Sequence, residues 1–345
     1  MKKIFALVAC SLWLAASLSA QTDKTPFMTR SLSAESVKNA QVKTSGGNIT
    51  VSGVANSEAR VEVYATPNNG KENLSKDEIQ QRLNERYNLD INVSGGKVVA
   101  TAKPKEKIMD WKKALTISFK LFVPQSVSTD LETSGGNISL KNLSGTQSFS
   151  TSGGNLDIDH VTGKIMGRTS GGNIDIEDSK TDIDLHTSGG SITAKKCEGV
   201  IKLETSGGSL TLEDLKGTIN GQTSGGNVSG KNVQGEMEAH TSGGNIHFND
   251  LSCSLETSTS GGNIDVSFKE IGKYIKITNS GGNIDLEIPK NKGIDLRLEA
   301  NSIKTDKLEN FNGNIEDEEI NGKLNGGGVS VRVSAGSGRI YLALK

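Results

Sequence analysis

Four carboxylates in the middle of this chain have the spacing to hold a cation or to share a proton. Asp157 with Asp159, and Asp175 with Glu177, form two i, i+2 pairs offset by 18 residues. Residues two apart on a β-strand share a face, so if the offset is a structural repeat, the four side chains lie within several ångströms of one another. Such an oxygen cluster suits Ca²⁺, and paired carboxylates also serve polysaccharide cleavage, a chemistry found on β-helical folds. The neighbours favour a plainer role. At successive steps the position of Asp159 and Glu177 runs Lys141, Asp159, Glu177, Lys195, Glu213, Lys231, so lysines flank the patch. We read Asp157, Asp159, Asp175 and Glu177 as an outward ion-pair face, with a cation-dependent glycan binder or a polysaccharide-acting enzyme as the alternative.

The other reactive residue types form no constellation. His160, His186, His240 and His247 lack metal-ligand spacing, and no Ser/His/Asp order, phosphate loop or zinc spacing is present. A calcium-binding nonapeptide array needs Gly-Gly-x-Gly-x-Asp; here Gly171-Gly172-Asn173 runs into the apolar Ile174, and 180–188 contains no Gly-Gly. Residues 133–258 hold only two aromatics, Phe149 and Phe248, both at positions expected to point inward, which argues against a sugar-stacking groove. An ice-binding hydroxyl surface is excluded because the repeated threonines face inward and Arg168, His186, Glu204 and His240 interrupt the neighbouring outward row. Cys197 and Cys253 fall three repeats apart, ~14 Å along a stacked sheet, whereas a disulfide needs Cα atoms within ~7 Å. They are expected to be unpaired. No catalytic residue and no cofactor are expected.

What would position these residues is an 18-residue word. Thr133, Thr151, Thr169, Thr187, Thr205, Thr223, Thr241 and Thr259 each open Thr-Ser-Gly-Gly-(Asn/Ser)-(Ile/Leu/Val). A short period without drift is the mark of a solenoid. In the coil from Thr169 to His186, Ile174 and Ile176 alternate with Asp175 and Glu177, and Ile183 and Leu185 continue the same parity. Each coil therefore makes two short strands with Gly-Gly-Asn at one corner and a polar pair, usually with glycine, at the other. Leu143, Val161, Cys197, Leu215, Val233 and Leu251 add an inward side chain near the second corner, while Gln147 and Gly230 break the apolar pattern. The glycine pair is expected to turn sharply, often at positive φ, and to stack tightly. The asparagines should bond amide to amide between coils, a ladder interrupted at Ser191 and Ser209.

Outside 133–264 the repeat loosens. Thr44 to Ile49 and Val93-Ser94-Gly95-Gly96 read as earlier copies, Asn279 to Ile284 follows a 20-residue step, and Ser337-Gly338-Arg339-Ile340 is a last echo. Leu115 to Val123 alternates as a strand leading into the array. A helix is expected from Lys76 to Tyr87, with Ser75 and Glu78 as a capping box and Ile79, Leu83 and Tyr87 on one face; it would serve as a cap or side brace. Lys103 to Lys113, around Trp111, reads as a solvated hairpin tip, and Glu316 to Glu319 as a solvated turn.

Met1-Lys2-Lys3 and the apolar run to Leu18 read as a secretory signal peptide cleaved after Ala20, or alternatively after Ser19. The run is short for a membrane span, which needs ~20 residues. Leu7-Val8-Ala9-Cys10 spells a lipoprotein box, but the apolar run continues past Cys10 instead of giving way to a polar tether. A formal net charge of −1 supplies no electrostatic case for nucleic acid. The expected organisation is a signal peptide at 1–20, N-terminal coils with the helix at 21–132, the regular array at 133–278 and irregular coils of the same solenoid at 279–345.

The stretch Phe119-Lys120-Leu121-Phe122-Val123-Pro124, leading into Leu131-Glu132-Thr133-Ser134-Gly135-Gly136-Asn137-Ile138, resembles the bacterial putative-adhesin β-solenoid family, the domain-of-unknown-function 4097 family. So does the ending Leu324-Asn325-Gly326-Gly327-Gly328-Val329 with Ser337-Gly338-Arg339-Ile340. The resemblance covers roughly residues 40–345. It implies a secreted or surface-associated parallel β-solenoid with an adhesive role and offers no catalytic residues. The expectation is an all-β protein, a right-handed parallel β-solenoid (β-helix) of 18 residues per coil with one short helix near its N-terminal end. Its function would be that of a non-enzymatic adhesin or envelope scaffold, exported to the periplasm, the cell surface or beyond. Its partner would be an envelope or surface protein or glycan, with no transmembrane segment left after cleavage.

Overall fold

A computed structural model describes residues 25–68, 74–106 and 111–345, with the side chain of Trp111 outside the description. The expected signal peptide, Cys10 and part of the lysine-rich stretch lie outside the described residues. The chain opens with β1 (Met28–Ser31), β2 (Asn39–Thr44), β3 (Ile49–Val54) and β4 (Arg60–Pro67), then α1 (Lys76–Arg86), β5 (Tyr87–Ser94), β6 (Lys97–Pro104) and β7 (Leu115–Pro124). The array follows as β8 (Ser128–Thr133), β9 (Ile138–Thr151), β10 (Leu156–Thr169), β11 (Ile174–Glu177), β12 (Lys180–Thr187), β13 (Ile192–Lys195) and β14 (Glu198–Thr205). It continues through β15 (Leu210–Glu213), β16 (Lys216–Gln222), β17 (Val228–Lys231), β18 (Gln234–His240) and β19 (Ile246–Thr259). The C-terminal part is β20 (Ile264–Asn279), β21 (Ile284–Ile288), β22 (Ile294–Thr305), β23 (Phe311–Ile315), β24 (Glu319–Leu324) and β25 (Val329–Leu344).

Between successive coils from β8 to β19, pairing is parallel and joins residues 18 apart, as in Ile174↔Ile192 and Ile183↔Ile201. The parity expected from sequence holds: Ile174, Ile176, Ile183, Leu185 and the corner Thr187 are all buried. Two irregular core positions have physical partners. The Gln147 side chain accepts from Thr129 Oγ1 at 2.7 Å and donates to the Val127 carbonyl at 3.0 Å. Gly230 leaves room for Phe248, whose ring would lie 2.9 Å from a β-carbon there.

The corner works differently from the expectation. Neither Gly171 nor Gly172 has positive φ. The second glycine is required by contact, because a β-carbon on Gly172 would sit 1.9 Å from the Gly154 carbonyl oxygen, whereas at Gly171 the nearest atom is 3.7 Å away. Thr169 Oγ1 donates to that same Gly154 carbonyl at 2.8 Å and accepts from the Gly172 N–H at 3.2 Å. The asparagine ladder is also not amide to amide: Asn155 Oδ1 accepts the backbone N–H of Asn173 at 2.8 Å. Ser191 and Ser209 do not interrupt it, since their hydroxyls accept the N–H groups of Ser209 and Asn227 at 3.1 and 3.2 Å. Positive φ belongs to the other corner, at Gly145, Gly163, Gly199, Gly217 and Gly235, and there Thr181 takes the same place with φ 99.

Both ends depart from chain order. β2 and β3, early in sequence, lie inside the stack: β2 is paired to both β6 and β8, and β3 to both β7 and β9. Antiparallel β5 and β4 then cover β6 and β7. Val93-Ser94-Gly95-Gly96 is therefore not an earlier coil. Gly95 and Gly96, both at positive φ, make the tight turn between β5 and β6, with Ser94 opposite Lys97, the geometry of a primed hairpin. On the two sides of the Lys103 to Lys113 stretch, which lies partly outside the described residues, β6 and β7 pair in parallel with β2 and β3 and not with each other. α1 has the capping box of Ser75 and Glu78 and buries Leu83. Beyond it, the Tyr87 hydroxyl accepts the Leu115 N–H at 2.8 Å and donates to the Leu115 carbonyl at 3.0 Å.

At the other end the 20-residue step appears as Ile264↔Ile284, and register shifts between β19 and β20 absorb the extra residues. Asn279 replaces the corner threonine, its Nδ2 donating to the Gly262 carbonyl at 2.8 Å. β25, last in sequence, enters the stack between β20 and β22. The Ser337–Ile340 corner thus lies on the one at Ser280–Ile284, and the Arg339 N–H reaches Asn283 Oδ1 at 3.1 Å. Antiparallel β24 and β23 close this end, joined by a turn in which the Glu316 N–H donates to the Glu319 carbonyl at 2.8 Å.

Two outcomes follow from the corners. Gly172→Ala should destabilise by about 3 kcal/mol or more, since a backbone oxygen cannot move out of the way, while Gly171→Ala should stay within about 1 kcal/mol; denaturant melts of the two variants make the comparison. Thr181→Gly should stabilise by about 1 kcal/mol, as relief of left-handed strain exceeds the entropy cost of glycine; a lower melting midpoint would contradict it.

Candidate functional site: the carboxylate face

The array brings the four carboxylates together as their spacing required. Asp157 lies opposite Asp175, and Asp159 opposite Glu177, on the adjacent strands β10 and β11. With Lys141 and Lys195 on the next strands they line a shallow depression of about 550 Å³. Parallel in-register pairing sets like charges side by side at ~4.8 Å, so the sheet has to relieve them from neighbouring coils.

It does so with lysines at Asp159 and Glu177. Lys141 Nζ lies 2.7 Å from Asp159, and His160 Nδ1 contacts the other oxygen of the same carboxylate. Lys196 Nζ lies 2.8 Å from Glu177 and 3.8 Å from Asp178. Lys195 lies opposite Glu177 as its position required, and its ammonium pairs with Glu213 at 3.0 Å. Ser139 Oγ donates to Asp157 at 3.3 Å. The hydrogen bond from Lys141, and then that from His160, hold the Asp159 carboxyl below its ordinary range. Lys196 does the same for Glu177, and both lysines are raised in return. Depressed carboxylates contribute stability above their unfolded pKa and lose it as pH falls through the lower folded value, so these pairs are intact at neutral pH and open on the acid side as the carboxyls protonate. A general acid for glycosidic cleavage needs the opposite shift.

Asp159, His160 and Asp178 form a grouping the sequence did not reveal, with potential ligand atoms all within 4.8 Å of one another. His160 and Asp178 both have left-handed backbone, φ 54 and 48, which breaks the strand alternation from which side-chain direction was inferred. A cation there would compete with Lys141 and Lys196 for Asp159 and Asp178. The remaining histidines are dispersed: His186 is 3.7 Å from Glu204, His240 is 3.0 Å from Glu238, and His247 is 3.0 Å from Asp265.

Outward aromatics occur where no coil motif marked them. Phe122 on β7 lies under the Arg60 guanidinium at 3.7 Å, and Lys120 sits 5.0 Å above the Tyr64 ring. Cations thus already occupy a face of each ring.

A family model described as Toastrack DUF4097 matches residues 168–343. No curated protein matches the chain. Among solved structures, a "putative cell adhesion protein" from Clostridium sporogenes ATCC 15579 is 12% identical, with 90% of this chain and 93% of that one covered and a TM-score of 0.18. A "putative adhesin" from Bacteroides fragilis NCTC 9343 is also 12% identical, with 92% and 96% covered and a TM-score of 0.29.

Cys197 and Cys253 are unpaired and buried. Burial pushes the Cys197 thiol up to about 11 and the Cys253 thiol up to about 12, so neither is a thiolate nucleophile at neutral pH. Iodoacetamide should leave both unmodified in the native protein and label both in denaturant; rapid native labelling of either, read by mass spectrometry, would contradict the burial.

Proposed function

The chain belongs to the Toastrack DUF4097 family, and from that premise we propose that it is an exported, non-enzymatic β-solenoid acting by surface contact, as an adhesin or an envelope scaffold. The observation that carries the reading is the pairing of Asp159 with Lys141 and of Glu177 with Lys196, which lowers those two carboxyls and so works against either acting as a proton donor. In this reading Asp157, Asp159, Asp175 and Glu177 form part of a polar contact surface, with no cofactor. The coils are right-handed with 18 residues each, as parallel crossovers favour that hand. Residues 1–20 act as the signal peptide, 21–132 and 279–345 as the irregular ends, and 133–278 as the regular body. Among the described residues no helix is long and apolar enough to cross a membrane. The partner is an envelope or surface protein or glycan. Near-neutral net charge weighs against nucleic acid.

Protease shaving of intact cells, set beside osmotically opened cells, tests this location. The expected result is a mature chain lacking residues 1–20 and lying outside the inner membrane. Cleavage on intact cells favours the adhesin, and cleavage only after opening favours the scaffold. A cytoplasmic chain with residues 1–20 still attached would overturn the proposal.

A further inference from the structure

The insertion of β25 between β20 and β22 sets cations side by side outside the regular array. Lys276 on β20 lies opposite Arg332 on β25, and Arg332 lies opposite Arg297 on β22. Opposed residues on parallel strands share a face, so three cations stand in a row across three strands at ~4.8 Å intervals. Like charges set directly opposite are destabilising. The outer two are relieved: Glu256 accepts from Lys276 Nζ at 2.7 Å, and Glu299 accepts from Arg297 Nε at 2.7 Å. The central Arg332 is exposed, and among the described residues no carboxylate lies within ion-pair distance of it.

The row borders a depression of about 340 Å³ that also presents Thr278 and Ser334 beside the cations, and Glu299, the partner of Arg297, at its edge. Arg297 and Arg332 border an adjoining depression of about 330 Å³ as well. A guanidinium with no internal partner, a cation on either side of it and hydroxyls alongside make a receptor for an oxyanion, which arginine engages through two parallel N–H bonds. The row spans two strand spacings, ~10 Å, across an open, polar surface, which suits an extended polyanion carrying hydroxyls more than a single enclosed ion.

We infer that Lys276, Arg332 and Arg297, with Thr278 and Ser334, form a binding surface for the carboxylate or sulfate groups of an acidic polysaccharide. This names a partner class for the contact function proposed above and rests on that reading, but its test uses purified protein and is independent of cellular location.

Fluorescence anisotropy at low salt would compare labelled oligogalacturonate, a sulfated oligosaccharide and neutral dextran on the mature chain, Arg332→Gln and Arg168→Gln. The wild type and the distant Arg168→Gln should bind at least one anionic glycan and not dextran, and Arg332→Gln should weaken that binding about tenfold or more. Which anionic arm binds distinguishes uronate from sulfate. A thermal melt gives a second readout: without glycan at low ionic strength, Arg332→Gln should raise Tm by removing repulsion, and the glycan should raise the wild-type Tm more than that of the variant. Equal glycan affinity in wild type and Arg332→Gln, binding to neither anionic glycan, or a lower Tm for Arg332→Gln at low salt would each overturn the assignment.

Discussion

The structure depends on how closely one corner rests on the next. At the second glycine of each corner a β-carbon would lie about 2 Å from a carbonyl oxygen of the coil beneath, as at Gly172, Gly190 and Gly208. That carbonyl receives the hydroxyl of the threonine that opens the coil above, as Gly154 receives Thr169 and Gly172 receives Thr187. Glycine permits the approach, and threonine, turned inward, satisfies a polar atom that the approach has buried. Asparagine or serine then ties the outer side of the same corner to the next backbone N–H. Because these bonds run between coils, no coil is stable alone, and the array gains stability as coils are added.

In-register stacking also governs the surface. Every outward side chain has the residue one coil away as its lateral neighbour, so an acidic residue repeated in the same place becomes a repulsive pair. On the carboxylate face Lys141 and Lys196 reach in from neighbouring coils to relieve it. These exposed pairs add little to stability, since water screens them; their effect is to keep like charges tolerable in a sheet that cannot shift register. The row centred on Arg332 follows the same geometric rule, with cations in place of carboxylates and no carboxylate paired to its middle member among the described residues.

The ends solve a different problem. A parallel stack exposes unpaired backbone groups that recruit other strands. Antiparallel strands cover it at both ends, β4 and β5 at one and β24 and β23 at the other. The insertion of early β2 and β3 and of late β25 between other strands ties the ends into the body of the sheet.

Much of this was legible in the sequence. The Thr-Ser-Gly-Gly word, the inward parity of Ile174, Ile176, Ile183 and Leu185, the helix begun by Ser75 and Glu78 and the adjacency of Asp157 to Asp175 all follow from local chemistry repeated at fixed spacing. A period needs no partner outside itself to be read. What only the tertiary structure decided lies where spacing stops predicting contact. Gly95-Gly96 repeats the corner's spelling yet turns a hairpin, since a glycine pair suits both and the choice depends on which strand lies alongside. The left-handed backbone at His160 and Asp178 redirected side chains that strict alternation would have placed elsewhere. Above all, Lys276, Arg332 and Arg297 are out of order in the chain and became neighbours because β25 returned between two strands already laid down. A repeat fixes the neighbours of residues inside it; residues beyond it acquire theirs only when the chain folds back.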